Sequence, residues 1–166
     1  MRKLIYFIII ITLTTCTPRH KGTNVERELY PIYTEFLKDC EDHGINIDDY
    51  PRLSNLKKKV MSEDVVGICI TDEVFTYKYR NVYINDEITD KFLLKFIAYH
   101  EMGHCIFGLG HDEGEEIRLM TPEINLLNRD MYEKHWDELR YIYFKKIRET
   151  QNEPMTGELN CKVIKE

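Results

Sequence analysis

The stretch from Phe92 to His111 constrains this chain more than any other. Phe92, Leu93, Phe96, Ile97, His100, His104 and Phe107 recur at helical spacing and form one stripe, so the two histidines continue an apolar face. A helix is predicted over about Asp90 to Phe107, with Thr89 as N-cap and Asp90 in the first turn, where it favours the helix dipole. Residues four apart on a helix lie one above the other, so His100 and His104 can offer two imidazoles to one metal ion, with Glu101 beside them. Gly108 accepts a left-handed backbone at little steric cost, which lets the chain turn and bring His111 back as a third ligand. Three protein nitrogens leave one position open, as in catalytic rather than structural zinc sites, and zinc lowers the pKa of bound water to about 7. Glu101 is placed to take the proton.

His100-Glu101-Met102-Gly103-His104, continued by Gly108-Leu109-Gly110-His111, resembles the long signature of the metzincin clan of zinc endopeptidases, His-Glu-x-x-His-x-x-Gly-x-x-His. Leu119-Met120-Thr121-Pro122 is similar to the clan's methionine turn under the metal, most like the matrix-metalloprotease form with a proline two after the methionine. The resemblance runs from about Tyr77 to Pro122 and implies a small α+β zincin domain: a mixed twisted sheet, an active-site helix and a C-terminal helix. It also implies Zn2+ held by His100, His104 and His111, Glu101 as general base and Met120 in the methionine turn. In such proteins an antiparallel edge strand before the active helix pairs with extended substrate, the position taken here by Tyr77 to Asn85.

One departure stands out. The interval from His104 to Gly108 is one residue longer than the clan pattern, which rotates the helix exit by about 100° unless a bulge or a tightened last turn absorbs it. His111 is the first choice for third ligand and Asp112 its substitute. Glu133 matches the position of a later-helix glutamate ligand in another zinc clan, a choice that leaves His111 and the glycines unexplained.

At the other end, Arg2 and Lys3 precede the apolar run Leu4 to Leu13, which is too short for a comfortable membrane span and reads as a secretion signal over residues 1–15. Leu13-Thr14-Thr15-Cys16 resembles a bacterial lipoprotein signal, with Thr15 as the departure, and implies lipid on Cys16 and an exported, membrane-anchored protein at the periplasm or cell surface. Residues 16–24 suit a tether, 25–150 a single metalloprotease-like domain and 151–166 a polar C-terminal tail. The net charge of −6 is mild and the basic residues are dispersed, Lys57-Lys58-Lys59 reading as a solvated patch, so nothing marks a nucleic-acid surface. Export permits disulfides among Cys40, Cys69, Cys105 and Cys161, which allow three pairings. Cys105 follows His104 by one helical position and points away from the metal, towards packing or a disulfide.

Around the site, helical spacing predicts a helix from Val25 to about Glu41, ended by Gly44, and a second from Asn125 to about Arg148. Within the latter, His135 and Trp136 read as structural. Ile45 to Ser54 reads as a loop, Val65 to Ile70 as an interior strand, and Phe75 to Ile84 as strands or a hairpin bending at Arg80-Asn81. Cys161 is the residue that would pin the tail. The function expected is hydrolysis of peptide bonds outside the cytoplasm by a monomeric zinc endopeptidase acting on a peptide or protein. The alternative is a non-catalytic zinc-binding surface lipoprotein serving as an interaction module, which would have no need of Glu101.

Overall fold

The computed structural model describes residues 22–74, 77–112, 118–122, 124, 128–150 and 161–162. The signal segment and Cys16, together with Phe75 and Asn125 to Leu127, lie outside the described residues. The architecture is mixed α+β. A five-stranded sheet runs in the order β1-β2-β4-β3-β5, where β1 is Asn24–Val25, β2 Leu53–Lys59, β3 Gly67–Val74, β4 Tyr77–Asn85 and β5 Cys161–Lys162. The first three neighbours are parallel, whereas β3 runs antiparallel to both β4 and β5.

This order corrects two expectations. Arg80-Asn81 is no bend, because β4 is one continuous strand in which Asn81 pairs with Ile70 on one side and Asn55 on the other. The Asn55 side-chain amide also donates to Asn81 Oδ1 at 2.7 Å, and the Arg80 guanidinium donates to the Cys105 carbonyl, so both apparent turn residues have partners across the sheet or beneath it. Nor is Tyr77 to Asn85 an edge. It lies between β2 and β3, and β3 in turn lies between β4 and β5, so the Val65 to Ile70 run holds the interior place it suggested at Ile68 and Cys69. Among the described residues the tail pairs with β3 at Ile68 and Cys69, with Cys161 in register opposite Cys69.

Strand β2 falls partly where a loop and a charged patch were expected. Leu53 and Leu56 enter the core, Lys57 is half-buried, the Lys58 side chain is largely covered with its ammonium on the Ile88 carbonyl, and the neighbouring parallel strands supply the hydrogen bonds. Residues Asn24 and Val25 join the sheet, so the first helix, α1, begins later, at Tyr30, and ends at Asp42.

The central helix α2 is Lys91–Phe107. Its N-cap is Asp90 rather than Thr89, since the Asp90 Oδ1 accepts the amides of Phe92 and Leu93, both at 2.9 Å. Those bonds, the Leu93 amide foremost, hold the Asp90 carboxyl below its usual pKa. The expected long C-terminal helix is two, α3 Arg129–Lys134 and α4 Trp136–Thr150, separated at His135. Trp136 is a core residue, edge-on to Phe92 and Tyr99.

Helices α1, α2 and α4 are fastened by a buried polar junction. Tyr99 Oη donates to Asp39 Oδ2 at 2.7 Å, Arg140 donates to both Asp39 oxygens at 3.0 Å, and Tyr143 Oη donates to the Tyr99 carbonyl at 3.0 Å. A disulfide joins Cys69 of β3 to Cys105 of α2, while Cys40 is a buried free thiol whose pKa burial pushes far up. Among the described residues no helix is long and apolar enough to cross a membrane.

Candidate metal centre

His100, Glu101 and His104 lie within the buried middle and last turns of α2. The three histidines of the motif, His100, His104 and His111, bring ring nitrogens within 4.8 Å of one another, and this is the one such donor group among the described residues. His104 Nε2 stands 3.0 Å from His100 Nε2 and 3.1 Å from His111 Nε2. Tetrahedral coordination at zinc–nitrogen lengths would set ligand nitrogens roughly 3.3 Å apart, close to this spacing.

The chemistry of the donors argues for a cation. His100 Nδ1 lies 2.8 Å from the Leu119 carbonyl and His104 Nδ1 lies 2.6 Å from the Leu109 carbonyl. A carbonyl only accepts, so each Nδ1 carries the proton and each neutral ring turns a lone pair at Nε2 towards the other. Two such lone pairs repel unless a proton or a metal ion lies between them. Burial disfavours the proton, pushing the His100 pKa down to about 3 and that of His104 to about 4. His111, half-buried, is lowered in the same sense by burial, with Asp112 opposing and Lys146 adding to the shift. The three rings therefore form a set, two of them held by backbone carbonyls, that can hold a metal ion.

The extra residue after His104 is absorbed at the end of α2. Gly108 is left-handed at φ 66°, and its amide donates to the carbonyls of both Gly103 and His104. The Leu109 amide reaches six residues back, to the Gly103 carbonyl at 3.1 Å, where the ordinary glycine stop reaches five. The last turn is widened by one residue rather than tightened, and His111 still arrives at the cluster.

Neither alternative third ligand joins the set. The Asp112 carboxylate pairs with Lys146 of α4, and Glu133 pairs with Arg129 on α3. Met120 is buried against α2, and a Cβ at Gly103 would meet its sulfur at 2.8 Å. The turn also acts through its backbone: Leu119 orients His100, and the Met120 carbonyl accepts the Asp112 amide at 2.8 Å.

Glu101 is fully buried, and neither carboxylate oxygen has a hydrogen-bond partner among the described residues. Burial pushes its pKa up to about 8, the nearby Cys69 backbone amide offsetting only part of this. A buried carboxyl without a hydrogen-bond partner, one residue after His100 on α2, is costly for folding.

Several contributors escaped sequence reasoning. Gly67 makes room for Glu101, Gly103 makes room for Met120, and Lys146 holds the residue after the third histidine. Glycine inside an apolar strand is itself a sign of close approach, so Gly67 was findable, whereas Lys146 carries no local signal.

No family model matches the chain, and no curated protein or solved structure matches it either.

Proposed function

We propose that this protein is a zinc-dependent endopeptidase of metzincin type, exported and anchored by lipid on Cys16. The observation that carries this reading is the convergence of the His100, His104 and His111 ring nitrogens, with the buried Glu101 carboxyl next in sequence to His100 on α2. Zinc held there would supply the Lewis acidity that polarises a scissile carbonyl and makes water a nucleophile near neutral pH.

The chain's own residues would do the rest. Burial raises the Glu101 pKa, and an opposite charge nearby would favour its ionised form. In that form Glu101 would accept a proton from the nucleophilic water and pass it to the departing amine. His100 and His104 keep their orientation through the Leu119 and Leu109 carbonyls. Beyond Cys69 the outer side of β3 has no strand neighbour among the described residues, and an extended peptide could add there by main-chain pairing. The Cys69–Cys105 bridge ties that strand to α2 directly after His104 and suits an oxidising compartment.

The test is a quenched-peptide library presented to the zinc-loaded full chain. Turnover abolished by chelator, and cut severely in Glu101→Gln at unchanged zinc content, is the expected result. A Glu101→Gln variant as fast as wild type would remove the general-base role, and zinc retention with no cleavage of any peptide would favour the interaction-module reading.

A further inference from the structure

Helix α4 presents three polar residues at successive turns, each fastened to a different part of the molecule. Arg140 grips Asp39 of α1, Tyr143 donates to the Tyr99 carbonyl of α2, and Lys146 pairs with Asp112 in the loop that carries His111. The first two contacts make α4 a rigid fixture against the helices. The third extends that fixture to the loop.

We propose that Lys146 is a positioning residue for the third metal ligand: its ion pair with Asp112 latches the His111 loop so that the His111 ring meets those of His100 and His104. This rests on the metal-site reading above. The latch acts on the part of the loop after Leu109, because Leu109 itself is buried in the core and its carbonyl meets His104 Nδ1. Gly108 and Gly110 bring no side chain to pack, and a Cβ at Gly110 would meet nothing within 4 Å. Beyond Leu109, the loop's backbone tie among the described residues is the Asp112 amide on the Met120 carbonyl. The ion pair is partly shielded, with side-chain exposures of 31% for Lys146 and 24% for Asp112, so water competes for it less than for an open surface pair. The pairing also keeps the Asp112 carboxylate out of the donor set, leaving His111 as the ligand.

The latch makes a prediction opposite in sign to simple electrostatics. An ammonium near a dication site opposes metal binding, so its removal should tighten zinc if charge were all that mattered. A latch predicts that removal loosens zinc, by about tenfold to a hundredfold as for other groups that orient metal ligands. The experiment measures zinc affinity of the full chain by chelator competition, and the visible spectrum of the Co2+ form, for wild type, Lys146→Met, Lys146→Arg and the exchanged pair Asp112→Lys/Lys146→Asp. Metal-free melting is recorded beside each. Loss of affinity in Lys146→Met with metal-free melting unchanged, and affinity near wild type in Lys146→Arg and the exchanged pair, is the expected pattern. Equal or tighter zinc binding by Lys146→Met overturns the proposal, as does an arginine variant as weak as the methionine one. Should Lys146→Met not fold, the exchanged pair decides: weakened binding there, with Asp112→Lys alone no worse, overturns the latch. A wild-type chain that takes up no zinc fails at the earlier step, and removes the metal-site reading itself.

Discussion

Gly67 and Glu101 compete for one space. A Cβ at Gly67 would lie 2.8 Å from Glu101 Oε1 and 2.7 Å from Ile97 Cγ2, so the start of β3 can close over α2 only without a side chain there. Gly67→Ala must therefore displace the carboxyl or the strand. Overpacking of this kind costs about 1–3 kcal/mol, and a shift of the general base by about 1 Å can cost on the order of 100-fold in rate. Peptide turnover should fall steeply while zinc content stays at the wild-type level; loss of zinc in step with activity would place Gly67 in ligand support instead.

Gly108→Ala should act on the ligands rather than on Glu101. Its left-handed φ of 66° is costly for alanine, by about 1 kcal/mol or more, and the widened turn it closes carries the Leu109 carbonyl that orients His104. A lower melting temperature together with weaker zinc retention is expected. Melting and chelator titration of the same sample check it.

The disulfide closes a separation of 36 residues, which in the chain-entropy account stabilises by about 4 kcal/mol. Reduction, or Cys69→Ser, should lower the melting temperature markedly. Mapping by non-reducing digestion should recover the Cys69–Cys105 cross-link, with Cys40 alkylated only after unfolding because it is fully buried.

The metal-free chain should be most stable near pH 6.5. His100 and His104 stay neutral in the fold down to about pH 3 and 4, whereas the unfolded chain protonates both near 6.5, so stability is lost as pH falls below that value. Glu101 keeps its proton to about pH 8 in the fold but loses it near 4.5 when unfolded, so it withdraws stability as pH rises between those values. Between 4.5 and 6.5 the two imidazoles outweigh the one carboxyl; above 6.5 the carboxyl acts alone. Denaturant unfolding across pH in chelator checks this, and a steady rise from pH 6.5 to 8 would contradict the buried Glu101.

The parts of the site carried by α2 were legible because a single helical period lines up His100, His104 and the apolar stripe, and Gly108 announces the turn. The sheet was less so. Leu53–Lys59 has neither alternation nor β-branched residues, and is a strand because β1 and β4 supply its partners. That Tyr77–Asn85 lies inside the sheet, between β2 and β3, depends on pairings between distant segments, which local patterns do not contain. The same holds for Lys146, whose role depends on α4 crossing the loop after His111, and for the break at His135 in an otherwise continuous helical period. Asp90 displaced Thr89 as cap because its carboxylate reaches two amides at once.

If His100, His104 and His111 hold one zinc ion, the zinc content of the full chain purified without chelator, beside that of its His111→Ala variant, will show it. About one zinc per wild-type chain, with clearly weaker retention in the variant, is the result this account requires. Equal retention by the two would contradict His111 as a ligand, and no zinc in either would contradict the metal centre altogether.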